Sequence, residues 1–197
     1  MPTRAEVFQI YAGERGLASA GALSPGPLTP LLAEGNGAAI DPALQGTLPG
    51  GASGAVGHFS YTRNKTFRFH VALTEVPESQ QFAPRLFCIR KGRRTRDDQF
   101  YGFGARHSKV WTESEALSER YTVTTSPYQD PNWMRQLLSP TFIDWLVTEP
   151  PADYSFELAY GTVLGSIEED FPGIAELDAL CRVTSEVASR IRTESSE

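Results

Sequence analysis

The chain has no apolar run close to the roughly 20 residues that a membrane-crossing helix needs. Its first residues contain no signal-peptide core, because Glu6, Glu14 and Arg15 break the apolar stretch. Export by that route is not expected, and a cytoplasmic setting is. Cysteine is scarce: Cys88 and Cys181 are the two, far apart and in no metal-ligand spacing. Both sit in apolar surroundings and read as reduced, buried thiols; pairing them would require Cα atoms within about 7 Å. Positive charge is not in excess either. Twenty-four acidic residues against 18 basic ones give a net charge of -6, which argues against a domain-wide grip on nucleic acid.

The grammar of known catalytic sites is also missing. There is no G-x-S-x-G elbow, no H-x-x-x-H pair and no C-x-x-C pair. Glycines at 46, 50, 51, 54 and 57 do not lead into the Lys-Ser/Thr of a phosphate loop, and they read as flexible turns between strands. No metal and no small-molecule cofactor is expected.

What is present is enough apolar residue, 40% over 197 positions, to bury a core without staples. Residues 1–197 are read as a single α+β domain, with 193–197 as a frayed tail. Thr3 and Glu6 have capping-box spacing and predict a helix over 4–12, ended by Gly13 or Gly16. The Gly- and Pro-rich stretch 19–57 excludes a long helix or a wide central strand and leaves short strands near 38–40 and 43–48. Strands are predicted over 58–62, 67–74, 85–90, 110–113 and 120–125. Phe67, Phe69, Val71 and Leu73 alternate with Arg68, His70, Ala72 and Thr74, which predicts one oily and one wet face.

Asp130-Pro131 and Ser139-Pro140 each supply a cap followed by proline, so two short helices begin there. Phe142, Ile143, Leu146 and Val147 make the apolar stripe of the second, and Pro150-Pro151 stops it. Residues 154–164 read as a strand pair bent near Gly161. Ile174, Leu177, Leu180, Cys181, Thr184, Val187 and Ile191 line one side of a final helix over 173–192. Strands do not alternate with long helices, so the fold class is α+β: a curved antiparallel sheet with helices on one side and the C-terminal amphipathic helix packed on it. A barrel-like closure, as in pleckstrin-homology-like domains, is one version.

The segment RYTVTTSPYQDPNWMRQLLSPTFIDWLVTEPPADYSFELAYGTVL, residues 120–164, runs from a strand through a D-P turn and an L-L-S-P cap to a short helix ending in W-L and a hairpin. With G-T-L-P-G-G at 46–51, His58–Thr62 as H-x-x-Y-T and Leu73–Pro77 as L-T-E-V-P, it resembles an uncharacterised actinobacterial family of soluble domains, often carried behind an N-terminal transmembrane anchor. The resemblance implies a globular bacterial domain on the cytoplasmic side of a membrane. It implies no reaction.

Two clusters stand out as interaction candidates. Arg90, Lys91, Arg93, Arg94 and Arg96 put five bases into seven residues, suited to anionic headgroups or to a solvated loop. Trp133 and Trp145, with Trp111, Phe142 and Leu146, form an apolar mass suited to core packing or to docking a partner or a second copy. Histidines 58, 70 and 107 are the remaining candidates. His58 and His70 can face one another across a hairpin, joined by Glu75 or, in a hydrolase assembled only by the fold, by Glu113 or Glu115. The reading is a non-catalytic binding or scaffold domain near a bacterial membrane, peripheral to its inner face, acting through protein or anionic-headgroup contact. A homo-oligomeric structural protein and the histidine/carboxylate hydrolase are the alternatives. Self-association or a protein partner is expected, and nucleic acid is not.

Overall fold

In a computed structural model that describes all residues except 1–2, 27, 35–37, 63, 83–84, 94–107, 111–112, 127–128, 169–172 and 196–197, helix α1 (Arg4–Arg15) begins where the capping box places it. Thr3 Oγ1 accepts the Glu6 N–H at 3.3 Å, and the Glu6 carboxylate accepts the Thr3 N–H at 2.6 Å. The helix ends at Gly16, the later of the two expected stops.

The strands are β1 (Ala18–Leu23), β2 (Ile40–Thr47), β3 (Ser53–Thr62), β4 (Thr66–Glu75), β5 (Arg85–Arg90), β6 (Ser108–Lys109), β7 (Tyr121–Thr125), β8 (Ser155–Ala159) and β9 (Thr162–Glu168). They form one sheet in the order β1-β2-β3-β4-β9-β8-β5-β7-β6, and every neighbouring pair is antiparallel. The first four strands meander. The β8–β9 hairpin then inserts between β4 and β5. The sheet is open, with β1 and β6 at its edges, so the barrel-like version is set aside. The remaining helices are α2 (Pro30–Glu34), α3 (Glu115–Arg120), α4 (Pro131–Leu137), α5 (Pro140–Thr148) and α6 (Ile174–Glu194).

The sheet is covered on both faces, which corrects the expectation of helices on one side. Helices α1 and α6 lie on the face that carries Val56, Ala72, Phe156, Leu158 and Val163. Leu31 and Leu32 of α2 pack on the opposite face, against Ile40, Phe59, Phe69, Val71 and Leu164. The expected wet face of β4 is therefore dry: His70 and Ala72 are fully buried and Thr74 nearly so. A strand in mid-sheet has two layers over it, and polar residue types do not expose it.

Helix α6 rests on β4 and β9, and Gly165 of β9 faces it at close range. A Cβ there would overlap Thr184 Oγ1 and lie 3.0 Å from Tyr154 Cε2. Gly57 serves the same purpose in β3, where a Cβ would run into Ile40 and lie 2.6 Å from the Pro42 carbonyl oxygen. Gly46, Gly54 and Gly57 are thus strand residues chosen for close approach, and the expected turn is confined to Gly50-Gly51.

The Asp130 and Ser139 caps behave as predicted. Asp130 Oδ1 accepts the N–H groups of Asn132 and Trp133 at 2.7 and 3.1 Å, and Ser139 Oγ accepts that of Phe142 at 3.4 Å. Residues 113–120 depart from expectation. Ser114 Oγ accepts the Leu117 N–H at 3.2 Å and starts α3, so Glu115 and Arg120 stand on a helix and strand β7 begins only at Tyr121. Arg120 closes that helix and reaches across to α5, donating to the carbonyl oxygens of Val147, Pro150 and Pro151. The C-terminus is also more ordered than expected. Helix α6 continues to Glu194, and Ser195 is buried with its hydroxyl donating to the Ile191 carbonyl at 2.7 Å. Cys88 and Cys181 are free and buried; burial pushes the Cys181 thiol up to about 12 and Cys88 higher still, so both are unreactive packing residues.

Candidate interaction surface

The basic run leaves β5 at one end of the sheet. Arg90 pairs with Asp153, and Lys91 is exposed. Arg93 turns back over the sheet: its guanidinium lies 4.7 Å from the centre of the Phe69 ring, and Nη1 donates to Ser166 Oγ at 2.8 Å. Its Nη2 is buried and has no hydrogen-bond partner among the described residues. Burial lowers the Arg93 pKa from its ordinary value, and the carboxylates of Glu157 and Glu168 oppose that shift. Arg94 and Arg96 lie outside the described residues.

Glu157 is the buried partner of this arrangement, 1% exposed in the middle of β8. Its Oε2 accepts the Leu31 N–H at 3.0 Å, which fastens α2 to the sheet. Burial raises its pKa, while Arg93 and the hydrogen bonds from Leu31 and Thr29 pull the other way. The folded chain therefore keeps a proton on Glu157 that the unfolded chain gives up. Stability contributed by this group is present below the ordinary value of 4.5 and is lost as pH rises from there through the raised folded value. Glu157→Gln should remove this fall, which runs at up to about 1.4 kcal/mol per pH unit. Urea unfolding of both proteins across mildly acidic pH measures the difference; parallel pH profiles would contradict it.

Strand register brings further charges to the same end. A cavity of about 430 Å³ opens there, and its charged walls are Lys65 at the β3–β4 turn, Arg68 of β4, Arg90, Arg93, Asp153 before β8 and Glu168 at the end of β9. Lys65 and Arg68 were not among the sequence candidates. They are some 25 residues from the basic run, and only the β4-β9-β8-β5 order joins them to it.

The tryptophan cluster divides. Trp133 is 2% exposed, stacked on Phe82 with ring centres 6.2 Å apart, and its Nε1 donates to Ser195 Oγ at 3.2 Å. It is a core residue. Trp145 is half-buried and stacks on Phe142 at 5.7 Å. The apolar feature that does reach the surface is a groove of about 790 Å³ beside α4, α5 and β6, with Val110, Leu138, Ile143 and Val147 in its walls. Trp111 lies outside the described residues.

His58 and His70 do face one another, with ring centres 5.3 Å apart, but they are buried in the core with Phe8 against His70. Glu75 is five residues beyond His70 on a regular strand and so points to the other face of the sheet. Glu113 precedes α3 beside β6, five strand spacings from β4, or roughly 24 Å. The expected histidine/carboxylate site is therefore not assembled, and no group of three metal-ligating side chains occurs among the described residues. His107 lies outside them.

With this geometry fixed, the chain can be set beside known proteins. No protein-family model matches it, and no curated protein does. A solved structure does match. The chain is similar in fold to the mycobacterial trehalose monomycolate transport factor A, TtfA. The TM-score is 0.62 over 94% of this chain and 93% of that one, at 11% identity. At that identity the fold is what the two share. TtfA is mycobacterial, and at this identity it assigns no family to this chain. No helix among the described residues is long and apolar enough to cross a membrane.

Proposed function

We propose that the chain is a non-catalytic binding domain that works beside a bacterial membrane, touching anionic headgroups with the basic end of its sheet. One observation carries this reading: Lys65, Arg68, Arg90 and Arg93 come from separate places in the chain and converge on one cavity, with Lys91 exposed next to them. A chain of net charge -6 presents this group of cations at one end of its sheet, which orients it toward a negative surface. The fold shared with a protein named as a transport factor supports a role in transport rather than in chemistry. The expected single domain over 1–197 fits a module of this kind. A second reading, self-association, is favoured by the apolar groove beside α4 and α5.

Flotation with phosphatidylcholine vesicles, with and without phosphatidylglycerol, tests the proposal. Each cation near an anionic surface contributes about 1 kcal/mol, so Arg90→Ala with Lys91→Ala should weaken binding about thirtyfold. Added salt should weaken it further. Binding that ignores both salt and the substitutions would refute headgroup contact, and a concentration-dependent dimer in sedimentation would favour the second reading.

A further inference from the structure

We infer that the cavity between the β3–β4 turn and the end of β5 is a binding site for a phosphate monoester. The inference deepens the proposed headgroup contact and rests on it. Among the described residues, four cations and two carboxylates line the cavity, a balance of +2 (Lys65, Arg68, Arg90 and Arg93 against Asp153 and Glu168). A phosphate monoester carries about -1.5 to -2 at neutral pH, whereas a carboxylate or a phosphodiester carries one charge. The charge of the wall thus matches the monoester.

Donor chemistry points the same way. A guanidinium presents its N–H groups in a planar fork suited to phosphate oxygens. Arg93 is already fixed before any ligand arrives, by the Phe69 ring beneath it and by Ser166 on Nη1. Its Nη2 is buried, with no acceptor among the described residues, so Arg93 serves the cavity as a fixed positive charge. A cation held in this way attracts an anion without a large ordering cost. Lys65, over the Phe67 ring at 4.6 Å, supplies a further point charge in the wall.

Size sets the rest of the ligand. A volume of about 430 Å³ lies within the range of small-molecule sites and exceeds what a bare phosphate fills. The wall is mostly polar, so the esterified group is a small polyol rather than an acyl chain. A glycerol or sugar phosphate fits, either free or as the head of a lipid.

The test titrates the full chain with sn-glycerol 3-phosphate by calorimetry and, separately, floats it with phosphatidylcholine vesicles containing phosphatidic acid. The expected result is saturable binding in at least one arm. It should weaken tenfold or more in Lys65→Ala and in Arg68→Ala, and fall below about pH 6 as the monoester dianion is protonated to the monoanion. Lys65 is exposed, so its variant folds and keeps the comparison valid. Binding in the free arm assigns the site to a soluble ester, and binding in the vesicle arm alone assigns it to a headgroup. No binding in either arm, or binding indifferent to both substitutions, would overturn the inference. If phosphatidylglycerol flotation persists in that case, the broader reading stands and this site alone falls.

Discussion

Trp133→Ala should lower the unfolding free energy by about 3–5 kcal/mol, the range for removing a large aromatic from a packed core. The side chain is 2% exposed and holds two elements together. Its ring stacks on Phe82, nearly parallel at 6°, and its Nε1–H is taken by Ser195 at the end of α6. Truncation would leave a cavity under α4 and release the last turn of α6. Trp145→Ala should cost less, because that ring is only half-buried. Urea midpoints for the two variants decide the point. A Trp133→Ala midpoint equal to that of the parent protein would mean that the residue is not part of the core. If the two tryptophans formed a docking patch, their loss would show in partner binding instead of stability.

The second large effect is expected at Gly165. Gly165→Ala should destabilise by about 1–3 kcal/mol through overpacking, and Gly165→Val by more, because the added atoms meet Thr184 and Tyr154. The cost belongs to the contact between β9 and α6, so it should depend on the facing side chain. Thr184→Ala removes the Oγ1 that a Cβ at 165 would overlap, at the expense of its bond to the Leu180 carbonyl, 2.8 Å long. A double-mutant cycle should then show coupling of about 1 kcal/mol or more, with the double variant more stable than the sum of the singles. Additive effects would place α6 elsewhere.

Local signals in the sequence foretold local structure well. Thr3/Glu6, Asp130-Pro131 and Ser139-Pro140 start helices at the predicted residues, since a cap acts within one turn. The apolar stripe of α6 was equally plain, because 21 residues hold enough turns to show their period. Short helices carried no such information. PLLAE in α2 and EALSER in α3 are too brief for a stripe, and neither was predicted as a helix. The alternation along β4 misled for a different reason. Arg68, His70 and Thr74 are polar types, but exposure depends on what lies above the strand, and that depends on sheet order. The insertion of β8–β9 between β4 and β5 is a nonlocal event with no marker in either segment. The same event assembles the basic cavity. Arg90 and Arg93 could be picked out as a charge run, whereas Lys65 and Arg68 look like ordinary residues near a hairpin turn until the strands are paired.

Amide hydrogen exchange on phosphatidylglycerol vesicles tests most directly whether the basic end is the surface that touches. Bound protein should gain protection at the β3–β4 turn around Lys65 and at 90–93, with β1 at the far edge and the α4–α5 groove unchanged. Protection centred on that groove, or none at the basic end despite binding, would contradict the account.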